Sequence, residues 1–392
     1  MMRHCRFLSF LLTLCLLLSM LAAFAGCADK EPAKTDPAAT TEATAATTAP
    51  PPVENAFYSV VKAQRYLKLI GRSQIYYGDI LADWSASGIE FEYECYGDLS
   101  VRIERSEEKN VVLVAEVDGE KSAVTVNKEG VADYRIASDL PNGTHHVLIR
   151  RRSMATYKKN DETATGMPIQ FKGIQMTGRF LQKPADNKYK IAFLGDNITC
   201  GVGLENTDGL ATYAVDFCTR EHFDYDICCV TGIGVYRSTS QHGGKTNTMT
   251  KYYPYYNYYR GTDIAYNPTR KADLVIVNLN TNDQNTGSNS DETSYKATLK
   301  TLLSEIRAAH GENVKIVWVI GMMVSPDCRV NQWLNSVFDE LGGESAGLYR
   351  ITVDTDHSGT DNSHPGPSSH EAVSRALSAF IRQKNLLNVP TR

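Results

Sequence analysis

Past residue 188 the chain alternates short, uniformly apolar runs with amphipathic stretches, and few folds accept that pattern. The apolar runs cover residues 191–194, 225–230, 274–279, 314–320 and 348–353; helical patterns cover 210–218, 292–309, 330–341 and 368–383. In the second of these helices Leu299, Leu302, Leu303 and Ile306 keep a spacing of three and four, a stripe that faces a core. Strands apolar on both faces and alternating with helices predict a parallel sheet covered on both sides, an α/β three-layer domain over 188–388. In such sheets chemistry sits at the carboxyl ends of the strands.

Residues 56–187 follow another rule. Ile89, Phe91, Tyr93 and Cys95 alternate with three glutamates, as in a half-buried strand. Val101 and Ile103 continue the alternation after Gly97-Asp98, which predicts a turn. The run 111–117 closes on Asp118-Gly119, a hairpin signal. Val124/Val126, Tyr134/Ile136 and Val147/Ile149 follow, with Pro141-Asn142-Gly143 as a further turn. Many short strands at this spacing predict an all-β sandwich of jelly-roll type.

The first 55 residues belong to neither domain. Arg3, His4 and Arg6 precede the apolar run 7–24, which ends at Ala25-Gly26-Cys27. That is a secretory signal, and the small residues before a cysteine resemble a bacterial lipoprotein signal over 1–26. The resemblance implies lipidation of Cys27, a membrane anchor and an extracytoplasmic location; plain secretion and a retained anchor are the alternatives. Residues 27–55, rich in Ala, Thr and Pro, lack the apolar bulk to offset ordering entropy and read as a disordered tether, reaching about 30 Å. Cleavage removes two arginines and no acid, so the net charge of −4 becomes −6. An acidic chain without a basic stripe is not a nucleic-acid binder. Cys95, Cys200, Cys218, Cys228, Cys229 and Cys328 remain; they form no CxxC, so no metal site is indicated, and buried free thiols are expected. Nor is a cofactor loop present.

Three blocks fall at predicted strand ends and a fourth just before the final helix. They are Gly195-Asp196-Asn197-Ile198-Thr199-Cys200-Gly201-Val202-Gly203, Thr231-Gly232-Ile233-Gly234, Asn280-Thr281-Asn282-Asp283 and Asp361-Asn362-Ser363-His364-Pro365. Together, in this order, they resemble the SGNH hydrolases, or GDSL esterases and lipases. With the β domain in front, carrying Gly71-Arg72 and Trp84-Ser85-Ala86-Ser87-Gly88, the chain is similar to carbohydrate esterase family two, whose members deacetylate plant polysaccharides. The resemblance implies His364 as base, Asp361 as its orienting carboxylate, and the backbone N–H near Gly234 with the side chain of Asn282 as oxyanion donors. Asp354-Thr355-Asp356-His357 also reads DxxH but lacks the proline and the following helix.

The family serine falls on Asn197, and Asn280 stands in place of a glycine. An amide offers His364 no useful proton. Thr199 and Cys200 belong to the motif itself, and nothing specifically places Ser238 or Ser240 near His364. Between the second and third blocks, residues 252–259 read Tyr-Tyr-Pro-Tyr-Tyr-Asn-Tyr-Tyr. Tyr255, Tyr256 and Tyr258, with Tyr236 and Trp333, are candidate platforms for sugar rings; equally, the tyrosines could pack their loop down. Three readings follow: a surface lipoprotein binding acetylated or plain polysaccharide in a degenerate esterase site, a carbohydrate O-deacetylase with a non-standard nucleophile, and a non-catalytic structural module.

Overall fold

The computed structural model describes residues 54–105, 111–153, 169–240, 243–256, 264–285, 290–355, 358–361 and 363–390. The signal segment, Cys27, Tyr258 and the alternative His357 lie outside the described residues, as does nearly all of the tether.

The β domain holds β1 (Asn55–Ser59), α1 (Val60–Ala63), β2 (Lys68–Ile70), β3 (Gln74–Tyr76), β4 (Asp79–Leu81), β5 (Gly88–Arg105), β6 (Val111–Val117), β7 (Glu120–Val126), β8 (Gly130–Arg151) and β9 (Ile169–Phe180). Its antiparallel sheet runs β3-β4-β9-β5-β8-β6-β7, with β1 on β9 and β2 on β5. Ile89, Phe91, Tyr93 and Cys95 are all buried in its core, as their alternation requires. Asp118 and Gly119 have φ of 51° and 90°, the positive pair that a two-residue hairpin turn needs between β6 and β7.

Two expected turns are absent. Gly97-Asp98 lies inside β5 and Pro141-Asn142-Gly143 inside β8, so strands of 18 and 22 residues replace pairs of short ones. The β5–β8 register shifts between Cys95 and Gly97 and again on either side of Leu99. Extra residues at a bulge bend a strand without ending its pairing; the turn-forming residues are present, but they bend rather than break.

The second domain holds β10 (Lys190–Gly195), α2 (Tyr213–Glu221), β11 (Asp224–Cys229), α3 (Met249–Tyr252), β12 (Leu274–Asn278), α4 (Thr281–Asn285), α5 (Glu292–His310), β13 (Lys315–Ile320), α6 (Arg329–Glu340), β14 (Leu348–Thr352) and α7 (Pro367–Gln383). All five strands are parallel, in the order β11-β10-β12-β13-β14. Alternation within β10 supplies both faces: Ala192 and Leu194 join the core containing the α5 and α6 stripes, while Ile191 and Phe193 join that of α2 and α7. The chain leaves β10 for β11 on one side and returns to β12 on the other. The carboxyl end of β10 is thus the topological switch point, where a crevice opens. Among the described residues no helix is long and apolar enough to cross a membrane.

The β-domain motifs lie where the two domains meet. Arg72 is 2% exposed. Its Nη2 donates to the carbonyls of Tyr253 and Tyr255, its Nη1 lies 3.6 Å from Asp226, and its guanidinium sits 3.6 Å from the Tyr266 ring centroid. Trp84 Nε1 donates to Tyr256 O at 2.7 Å.

Candidate functional site

At the switch point the chain leaves β10 through Gly195, where a Cβ would come within 1.9 Å of Thr199 Oγ1. The turn that follows aims Asn197 into the crevice, half-buried, and buries Asp196, Ile198, Thr199 and Cys200. Gly203 closes the block with φ of 93°, and a Cβ there would lie 2.6 Å from His364 Cβ. The second glycine of Gly201-Val202-Gly203 is therefore needed so that the His364 loop can lie against it; Thr360 N donates to Gly203 O at 2.7 Å.

His364 is oriented by its own loop. Asp361 Oδ1 accepts the amides of Ser363 (3.0 Å) and His364 (2.9 Å), and its Oδ2 lies 2.5 Å from His364 Nδ1. Desolvation pushes the Asp361 carboxyl up, but the two amides and the imidazole outweigh it and hold the group well below the usual carboxylate range. A carboxylate partner puts the imidazole proton on Nδ1 and leaves the Nε2 lone pair facing the crevice. There Nε2 meets Asn197 Nδ2 at 3.3 Å.

The other end of the Asn197 amide is also held. Its Oδ1 accepts the backbone N–H of Gly232 at 2.6 Å and Asn282 Nδ2 at 3.4 Å. Two donors thus converge on one oxygen beside an imidazole, the arrangement an oxyanion site needs, and here the oxygen is the protein's own. Asn282 is aimed by Ile233 O, to which it donates at 2.7 Å.

The structure thus brings Asn197, His364, Asp361 and Asn282 together but moves the backbone donor from Gly234 to Gly232. Gly234 N–H donates to Ser238 Oγ at 3.1 Å. A Cβ at Gly234 would strike Arg237 O at 2.2 Å, so this glycine shapes the loop. The loop is pinned by a residue to which the sequence assigned no role. Buried Asp283 accepts the amides of Val235, Tyr236 and Arg237, each at 2.8 Å. Burial raises the Asp283 carboxyl to about 6 despite those three bonds. Burial likewise raises Asp196 to about 7, with the Asp283 charge adding to it and hydrogen bonds from the Ile198 amide and the Thr281 hydroxyl opposing it. The signal that could have found Asp283 is its place in the third block, one residue past Asn282. Asn280 has φ of 94°, which accounts for a residue type that tolerates this region where a glycine was expected; its side chain donates to Asn331 and accepts from Tyr295.

Thr199, Ser238 and Cys200 are engaged or buried, whereas Ser240 and Ser363 are exposed, Ser363 Oγ lying 3.1 Å from His364 Nδ1. Thr199 Oγ1 shares a hydrogen bond with Tyr213 OH at 2.9 Å, and Ser238 Oγ donates to Asn247 O. Cys200 is buried against Cys229, and burial pushes its thiol well up. The six cysteines of the described residues are free, five of them buried.

Of the aromatic candidates, only Tyr236 sits on the loop carrying Gly232; it is half-buried, with Lys245 Nζ 5.0 Å from its ring centroid. Tyr256 lines a cavity of about 440 Å³ shared with Lys190 and Asp224, the first residues of β10 and β11. That is the end of the sheet opposite His364. Tyr255 is tied to Arg72 through its carbonyl, and Tyr252 and Tyr253 are buried. The described part of the tyrosine loop therefore packs down between the domains. Trp333 is 8% exposed and lies in the core against Tyr295 at 5.7 Å, beneath the Asn280 block. Its expected role as a sugar platform is replaced by a packing role. Among the described residues no cluster of His, Cys, Asp and Glu could hold a metal ion.

Residues 193–372 match the GDSL-like lipase/acylhydrolase family. The chain is 25% identical over 323 residues to the cellulase/esterase CelE of Acetivibrio thermocellus, covering 77% of this chain but only 37% of that protein's length. It is 20% identical over 324 residues to an acetylxylan esterase / glucomannan deacetylase of Cellvibrio japonicus, covering 77% of this chain and 85% of that one. Among solved structures, a family two carbohydrate esterase from Clostridium thermocellum in complex with cellohexaose superposes with a TM-score of 0.69 at 23% identity, over 82% of this chain and all of that one. Residues 193–372 thus match the GDSL-like lipase/acylhydrolase family, and the fold of the chain is similar to that of a family two carbohydrate esterase.

Proposed function

We propose that this protein is a surface lipoprotein of the carbohydrate-esterase type that binds acetylated or plain polysaccharide in the crevice above Asn197 without cleaving it. One observation carries the reading: the amide of Asn197 spans the site, its oxygen in the hole formed by Gly232 and Asn282 and its nitrogen against His364. A substrate carbonyl finds its donors taken, and His364 has no hydroxyl to activate. The relatives' activities and the cellohexaose complex of the structural relative support a saccharide as ligand. The signal over 1–26, with lipidation at Cys27, supports a location outside the cytoplasm.

The retained pair of His364 and Asp361 favours the rival reading, a working O-deacetylase. Against it stand the engaged side chains of Thr199 and Ser238 and the buried thiol of Cys200. Acetate release from acetylated xylo- and manno-oligosaccharides, together with retention on the same polysaccharides, decides between them. Expected are retention by the natural protein and by Asn197→Ser, and acetate release by Asn197→Ser alone. Retention by neither variant removes the binding reading; acetate release by the natural protein that vanishes in His364→Ala establishes the rival.

A further inference from the structure

We propose that Asn197 is a self-modification site: the retained hydrolase machinery converts its side-chain amide to a carboxylate, with water as the co-reactant. Everything that an acyl-transfer site offers a substrate is here applied to residue 197 itself. The Gly232 N–H at 2.6 Å and Asn282 Nδ2 at 3.4 Å polarise Oδ1, and His364 Nε2 stands 3.3 Å from the nitrogen that must leave. Water adds to Cγ, forming a C–O bond while its proton passes to His364 Nε2. Charge collects on Oδ1, where the two donors stabilise it. The imidazolium, steadied by Asp361, returns the proton to Nδ2; the Cγ–N bond breaks and ammonia departs. One water is consumed, no electrons are transferred, and residue 197 becomes an aspartate paired with His364.

The common spontaneous route to the same change needs the following backbone nitrogen to attack Cγ. Ile198 disfavours it: its side chain is β-branched and buried, and its N–H donates to Asp196 Oδ1 at 3.3 Å. The two routes leave different products. Cyclisation through the backbone yields a mixture of aspartate and isoaspartate, whereas direct attack by water yields aspartate alone; both draw one oxygen from solvent, so the isomer formed tells them apart and the label marks conversion that occurred in solution. The proposal concerns the resting protein and does not depend on saccharide binding, so its failure and that of the binding reading are separable.

The test is tandem mass spectrometry of the tryptic peptide 191–220 after the full chain has stood at neutral pH in heavy-oxygen water. Asn206, at φ 56° in the same peptide, reports the background rate. Expected is conversion at position 197 with one heavy oxygen and no isoaspartate, outpacing Asn206. In His364→Ala the conversion should slow about 10²-fold or more, the usual share of general acid–base catalysis. Asp361→Asn, closer in shape, serves if the first variant fails to fold and should slow it as well. An unchanged amide at 197, an isoaspartate mixture, or a rate indifferent to both variants overturns the proposal.

Discussion

A serine hydroxyl gives its proton to a histidine and becomes a nucleophile; an asparagine amide gives neither. Yet the Asn197 amide meets His364 Nε2 with its nitrogen and the Gly232 N–H and Asn282 Nδ2 with its oxygen. Restoring the hydroxyl with Asn197→Ser should raise acetate release about 10⁴-fold or more, the order lost when one triad member is removed. Two buried carboxyls of the site add to the pH dependence of folding, beside Glu305, which burial raises to about 7, and His310 and His370, which burial lowers to about 4 and which act in the opposite sense. Asp196 and Asp283 are raised to about 7 and about 6, above their unfolded values near 4. The native state therefore binds these protons more tightly than the unfolded chain. Their contribution to stability is complete below pH ~4 and is lost as pH rises through about 6 to 7. Denaturant midpoints should fall across that window, and Asp196→Asn should flatten the fall. Asp361 acts in the opposite sense: its lowered carboxyl contributes above pH ~4, and that contribution is lost on acidification.

Helix α5 shows how an element earns its position. Leu299, Leu302, Leu303 and Ile306 are all buried against the sheet, and α5 packs beside α6. Leu302→Ala should cost about 2–5 kcal/mol of folding stability, read as a lowered denaturant midpoint with an unchanged slope. Loops are built differently, by single groups that collect backbone donors. Asp283 binds three consecutive amides of the oxyanion loop, and Asp361 binds two of its own. Asp283→Ala should release Gly232 from its aim. In the Asn197→Ser background it should therefore lower kcat for acetate release by about 10²-fold, comparable to loss of one oxyanion donor.

The two described domains meet at Arg72, among other contacts; it reaches from the β domain to Asp226 on β11 and to the carbonyls of the tyrosine loop. Removal of Arg72 takes one of two cations from Asp226, which keeps Lys190 Nζ at 3.6 Å and the Tyr266 hydroxyl at 2.7 Å. Arg72→Ala should cost about 3–5 kcal/mol, and Asp226→Asn in that background should recover part of it; thermal unfolding measures both. The family motifs of the β domain thus read as parts of a junction: Trp84 and Arg72 clamp the loop that the sequence alone left open between packing and sugar binding.

Hydrophobic period is a local property, and it was enough to distinguish an antiparallel domain from a doubly covered parallel sheet and to place the strand ends; the resemblance of the motif blocks, not the period, marked Asn197, Asn282, Asp361 and His364 as one constellation. Bulges escaped it, because Gly97-Asp98 and Pro141-Asn142-Gly143 carry the same residue types whether a strand turns back or merely bends. The resemblance put the backbone donor near Gly234, whereas the N–H that meets Asn197 is that of Gly232. Which N–H meets Asn197 depends on a loop path fixed by Asp283, 48 residues from Val235 in the chain. The tyrosines and Trp333 look alike as platform or packing until the core shows which faces it has covered. Periodicity survives translation into sequence because it repeats every few residues; the aim of a single donor does not, because it is set by contacts between segments far apart in the chain.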